Sequence, residues 1–185
     1  MSTARLFVAL ELPAGARAAL AGWGREACAA DPALRGVGEE ALHVTLHFLG
    51  ERPAGDIDAL RGVVAGAPVT AIPLTDAGTL WLAPRRPHVL TLALADPTGA
   101  LEALHRRLGP ALEAATPGWS AETRPLRPHV TVARVRRGAR PRPAALVEPP
   151  ALSFAAPAVV LLQSRLSPAG AVYEALERRS LRSVA

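Results

Sequence analysis

Apolar and polar residues alternate in two short stretches that carry the same phrase, His43-Val44-Thr45-Leu46 and His129-Val130-Thr131-Val132. Side chains alternate across a β-strand, so in each copy the histidine and the threonine share one face and the aliphatic residues take the other. Strict alternation turns Val44, Leu46 and Phe48 into a core, with Val130 and Val132, and leaves His43, Thr45 and His47 on a polar face. Gly50 ends the first strand and Gly138, after a basic pair, the second. Residues 4–11 alternate as a further strand, with Leu6, Val8 and Leu10 on one side and Arg5, Phe7 and Ala9 on the other. Strand signals also run over 69–82, 88–94, 152–166 and 171–178, with turns at 84–87 and 167–170.

Three stretches switch to helical spacing. Pro13 opens one that runs to about Ala30, with Leu20, Trp23 and Ala27 as its stripe and Gly22 and Gly24 as weak points. A second, Pro53 to Val64, presents Ile57, Leu60 and Val64; its Asp56 and Asp58 are explained by the helix macrodipole. A third starts at Asp96-Pro97, a cap followed by a first-position proline, and buries Leu101, Leu104, Leu108 and Leu112. Residues 116–128 read as a connector and the arginine- and proline-rich 136–150 as an exposed basic loop. Hairpin-like joins demand antiparallel pairing, so the pattern predicts an α+β fold and not a doubly wound parallel sheet.

At 185 residues, half of them apolar, the chain has room for one sizeable domain or two small lobes sharing a core. Its single cysteine, Cys28, permits no intrachain disulfide and fits a reducing cytosol. The net charge of +5 suits an anionic partner only weakly, because all 21 basic residues are arginine and there is no lysine or asparagine. That bias raises the pI whatever the partner. No signal peptide or membrane-length apolar run is present, so a cytoplasmic monomer away from membranes is expected.

The duplicated phrase carries the chemistry. The copies are too distant in sequence to form one hairpin and suit two similar half-domains facing across a groove. Histidine has an unperturbed pKa of about 6.5, so near neutral pH one imidazole can be neutral while its partner is protonated. Such a pair supplies the base for a water and the acid for a leaving oxygen when a cyclic phosphate is opened, and two threonine hydroxyls can donate to the phosphoryl oxygens. A shared zinc at His43 and His47 is excluded: H-E-x-x-H is absent, and on a strand the two lie about 13 Å apart. Gly22-Trp23-Gly24 follows no strand and makes no phosphate loop, and His88 and His105 read as ordinary strand-entry and helix-edge residues.

These motifs resemble the His-x-Thr/Ser-x signature of the 2H phosphoesterase superfamily, and more narrowly the bacterial RNA 2′,3′-cyclic phosphodiesterases, formerly described as 2′-5′ RNA ligases. The likeness extends to Arg5-Leu6-Phe7-Val8-Ala9-Leu10-Glu11-Leu12-Pro13 at the start and to Gln163-Ser164-Arg165-Leu166-Ser167-Pro168-Ala169-Gly170-Ala171-Val172-Tyr173-Glu174 near the end. The chain departs from it in lacking a tryptophan over 36–42 and in carrying His47. The resemblance implies a single bilobal domain over 1–185 with pseudo-two-fold symmetry: two antiparallel sheets flanked by helices around a central cleft, each lobe carrying one motif. It implies hydrolysis of an RNA-end or nucleotide 2′,3′-cyclic phosphate to a 2′-phosphomonoester, without metal or cofactor. His43 and His129 are then the catalytic pair, with Thr45, Thr131 and Arg134 on the phosphate; alternation from His129 turns Arg134 the wrong way, so a bulge or the strand end must re-aim it. Phe7 is the chosen stacking platform, Tyr173 the second, and His47 a groove contact. The alternatives are a binding module for RNA ends or nucleotides that has lost turnover, and a 2′-5′ RNA ligase. ATP-dependent ligation ranks low, because a chain without lysine has no nucleotidyl-transfer lysine.

Overall fold

The computed structural model describes residues 2–83, 85–142, 146–167 and 170–182. The centre of the turn expected at 167–170, one residue of that at 84–87 and part of the 136–150 loop lie outside the described residues. In chain order the elements are β1 (Thr3–Leu10), α1 (Ala14–Ala30), β2 (Leu34–Gly36), β3 (Val44–Pro53), α2 (Ile57–Ala65), β4 (Pro73–Leu82), β5 (Val89–Ala95), α3 (Ala100–Ala115), β6 (His129–Val135), β7 (Ser153–Ala155), β8 (Ala158–Ser167) and β9 (Gly170–Ser180). The fold is α+β, as the pattern predicts.

The strands run β7-β4-β5-β6-β3-β1-β8-β9, with β2 added beside β6, and every ladder is antiparallel. Two halves are visible in this order, and they meet at a single residue pair, Val44 opposite Val130. The expected 152–166 strand is broken at Ala156-Pro157: β7 pairs with β4 in one half and β8 with β1 in the other. Two residues span less than 10 Å, so the strand order must curl back on itself.

The stripes of all three helices join the large core built on Leu6, Val8, Leu10, Val44, Leu46, Val130 and Val132. Each fully buried leucine there contributes about 1.5–3 kcal/mol. Phe7 and Ala9 turn the other way, as alternation predicts, and pack with Ala158, Val160, Leu162 and Tyr173 in a small cluster that contains no helix residue. The helix-free face is the one left open for a site.

Local corrections have local causes. The third helix begins at Ala100, not at Pro97: Gly99 takes φ +72° ahead of the first turn, and the Asp96 carboxylate reaches over to accept the Glu102 backbone N–H at 3.0 Å. A 3-10 turn over Ala54–Asp56 likewise delays α2 to Ile57.

The most consequential departure is a bulge that occurs twice. In β3, Val8 faces His47 and Ala9 faces Thr45, leaving Leu46 without a partner on β1. In β6, Leu90 faces Ala133 and Thr91 faces Thr131, leaving Val132 without a partner on β5. Both extra residues hold the fourth position of the motif. A bulge reverses the alternation that follows it. His47 and Ala133 therefore turn inward, and Phe48 and Arg134 turn outward. Around the second bulge the Val132 carbonyl accepts the Val37 N–H at 2.9 Å, and a Cβ at Gly24 would stand 3.2 Å from that carbonyl. Gly24, a weak point by helix propensity, thus lets α1 lie directly on the bulge.

Candidate active site

Val44 and Val130 are fully buried and oppose each other, so the residues on either side of each point into the open face. One antiparallel step from that pair sets His43 across from Thr131 and Thr45 across from His129. Directly opposed residues lie about 4.5–5.5 Å apart and diagonal ones about 7–8 Å, which brings the two histidines to the diagonal of a four-residue cluster. All four line one cavity of about 650 Å³, together with Arg5, Phe7, Arg35, Phe48, Arg134 and Tyr173. Among the described residues no carboxylate lines it.

The two imidazoles are oriented alike. His43 Nδ1 lies 2.8 Å from the Ala41 carbonyl and His129 Nδ1 2.7 Å from the Arg127 carbonyl, each two residues upstream. A carbonyl only accepts, so Nδ1 carries the proton in both rings and Nε2 is left for the cavity. On His43 that Nε2 accepts the Thr45 hydroxyl at 3.0 Å.

Burial pushes the His43 pKa down to about 4; the nearby His129 and Arg134 push the same way, and the Ala41 carbonyl opposes them. His43 is therefore neutral near pH 7 in the ligand-free protein. Between pH 6.5 and about 4 the unfolded chain binds a proton at this residue that the folded chain does not. Its contribution to stability is thus complete above 6.5 and is lost as the pH falls through that window. Titration of the ring by NMR is expected to give a midpoint near 4, rising when inorganic phosphate is added, because an anion favours the imidazolium. A midpoint near 6.5 that ignores phosphate contradicts this site.

Three arginines surround the cluster. Arg134, re-aimed by the bulge, faces Arg35 of β2 across the strand pair. Arg5 sits with its guanidinium carbon 4.9 Å from the centre of the Phe48 ring. Among the described residues none of the three is in an ion pair. Alternation made Arg5 legible, on the face of Phe7; Arg35 was not, because three residues of β2 leave no periodic signal.

The structure reassigns two aromatic and groove positions. Phe7 does line the cavity, but it is 4% exposed, with its ring 4.9 Å from His43 and 5.0 Å from an edge-on Tyr173. It backs the His43 imidazole and offers little face to a base. Phe48, expected in the core, is 52% exposed at the cavity wall and presents the open ring. His47, expected as a groove contact beside His43 and Thr45, is buried instead: its Nε2–H donates to the His105 carbonyl at 3.0 Å and its ring stacks on His105 at 4.2 Å. The Leu46 bulge causes both reversals. Tyr173, half-buried, stays at the cavity edge, 5.2 Å from His43.

Among the described residues, no three His, Cys, Asp or Glu side chains are grouped to hold a metal ion, and no helix is long and apolar enough to cross a membrane.

Comparison with known proteins places this geometry. The family model of the 2′-5′ RNA ligase superfamily matches residues 15–167. An RNA 2′,3′-cyclic phosphodiesterase of Thermus thermophilus is 36% identical over 96% of this chain and 90% of its own length. The Escherichia coli protein of the same name is 37% identical over 70% of this chain and 71% of its own. One of Geobacillus stearothermophilus is 30% identical over 90% of this chain, which spans about half of that relative (54%). Among solved structures, TT0787 of Thermus thermophilus superposes with a TM-score of 0.80 at 29% identity, over 97% of this chain and 98% of its own. Escherichia coli LigT in its apo form does so at 0.78 and 28%, over 98% and 99%. The chain belongs to the 2′-5′ RNA ligase superfamily of 2H phosphoesterases, among its RNA 2′,3′-cyclic phosphodiesterases.

Proposed function

We propose that this protein hydrolyses the 2′,3′-cyclic phosphate of RNA ends or nucleotides to a 2′-phosphomonoester, with His43 and His129 as the acid/base pair and no metal in the reaction. The observation that carries the reading is the cluster of two histidines and two threonines around the Val44–Val130 pair, walled by arginine. The relatives are named for this activity, and the solved structures of Escherichia coli LigT include complexes with 3′-AMP and with phosphate.

The substrate's phosphorus sits between the two Nε2 atoms. One neutral ring takes the proton from the attacking water while the other, protonated, gives one to the departing 3′ oxygen, so the P–O3′ bond breaks as the new P–O bond forms. Thr45 and Thr131 hydroxyls and the Arg134 guanidinium donate to the non-bridging oxygens as negative charge grows there. Entry of the anionic phosphate offsets the positive field of Arg134 and the partner ring, which is what readies an imidazole to hold a proton. Phe48 supplies the face on which the terminal base stacks, and Tyr173 flanks the pocket. The single domain over 1–185, one motif per lobe, and a cytoplasmic location belong to the same reading.

Turnover of 2′,3′-cyclic AMP is expected to proceed at full rate in excess EDTA, with a bell-shaped pH profile and 2′-AMP as product. Binding without product selects the non-catalytic module, and activity restored only by a divalent ion removes the mechanism.

A further inference from the structure

A second cavity, about 950 Å³, adjoins the first and shares Thr45, Phe48 and His129 with it. Its remaining wall comes from Leu46 and His47 of β3, Leu82 of β4, α3 and the connector before β6, including His105, Trp119, Arg124 and Arg127. Nothing in the reaction described above uses it. Its volume alone fills the upper part of the range usual for small-ligand sites, about 300–1,000 Å³.

Its chemistry is that of a single-stranded RNA site. Trp119 is fixed by its indole N–H, which donates to the Phe48 carbonyl at 3.1 Å, so two aromatic side chains follow one another from the first cavity into the second. Arg124 and Arg127 stand exposed on the rim, against one carboxylate, Glu122, which pairs with Arg124. The His105 ring lines the cavity, stacked on His47 at 4.2 Å. Stacking faces in series with guanidinium groups beside them fit successive nucleotides and the phosphate between them. Shared walls make the two cavities one path that begins at the catalytic cluster.

Resting on the function proposed above, we infer that the second cavity binds the nucleotide next to the cyclic-phosphate terminus, so that an RNA end is preferred to a free cyclic nucleotide.

The test compares kcat/KM for 2′,3′-cyclic AMP with that for a triadenylate ending in a 2′,3′-cyclic phosphate. The oligomer is expected to be better by on the order of 10-fold, from one stacked base. In Trp119→Leu, Arg124→Ala and Arg127→Ala the ratio between the two substrates is expected to fall toward one. The exposed arginine variants serve should Trp119→Leu fail to fold. The oligomer's KM is also expected to rise with salt more steeply than that of the mononucleotide, by about 0.7 in log–log slope for each phosphate held. Equal kcat/KM values in the unmodified protein, or a preference that survives all three substitutions, overturn this inference while leaving the proposed function standing. Should neither substrate turn over, the function fails, and the cavity is read by fluorescence anisotropy with a labelled triadenylate bearing a terminal 2′-phosphate: binding unaffected by the three substitutions refutes the subsite.

Discussion

His129→Ala and His43→Ala are each expected to lower kcat on 2′,3′-cyclic AMP by two to four orders of magnitude, the range spanned by general acid or base catalysis. The loss falls mainly on kcat, because proton transfer is made in the transition state while ground-state binding rests on the arginines. The double variant is expected to be little worse than either single one, since acid and base act as a unit and such losses are not additive. Folding must be checked differently at the two sites. His129 is anchored by one backbone carbonyl and is otherwise open to the cleft, whereas His43 packs between Phe7 and Tyr173. For His43 the Gln variant keeps most of the packing and is the better test; a denaturation midpoint near that of the unmodified protein, with activity gone, separates chemistry from stability. Normal turnover in either histidine variant removes the residue from the reaction.

Thr45→Val and Thr131→Val are expected to cost on the order of 10²–10³ in kcat each, the usual effect of deleting one donor to a developing oxyanion. Valine keeps the β-branched shape and the strand preference, so the backbone stays in place. Thr45 has a second duty that Thr131 is not seen to share: its hydroxyl bonds His43 Nε2. Thr45→Val is therefore expected to change the His43 titration, and Thr131→Val to leave it closer to its starting value. Thr→Ser at either position restores the hydroxyl and is expected to recover most of the activity. A valine variant that loses nothing shows that its hydroxyl does not meet the phosphate.

The parts of this site carried by local alternation were legible in the sequence. His43, Thr45, His129 and Thr131 could be assigned to one face because each pair lies on the motif side of its bulge, where the period of two still holds. Alternation in β1 likewise put Phe7 on the open face, although it supports His43 more than it meets solvent; Tyr173 was chosen only as one of few aromatic residues, and it lines the cavity. Beyond the fourth motif position the same rule misplaced His47 and Phe48, since nothing in Leu46-His47-Phe48 announces an extra residue in the ladder. For Arg134 the conflict between alternation and a phosphate-binding role pointed to a bulge or to the strand end, and a bulge lies at Val132. Applying that inference to both copies would have found Phe48. Arg35 and the second cavity depend on contacts between distant elements, β2 with β6 and the connector with β3, which no window of sequence displays.

In the proposed reaction two imidazoles from distant parts of the chain address one phosphorus. The most direct measurement is a crystal structure of the protein with 2′-AMP. Phosphate oxygens are expected within hydrogen-bond reach, about 2.6–3.2 Å, of both His43 Nε2 and His129 Nε2, with Thr45 and Thr131 on the remaining oxygens. A phosphate held by the arginines alone, with either ring turned away or out of reach, contradicts it.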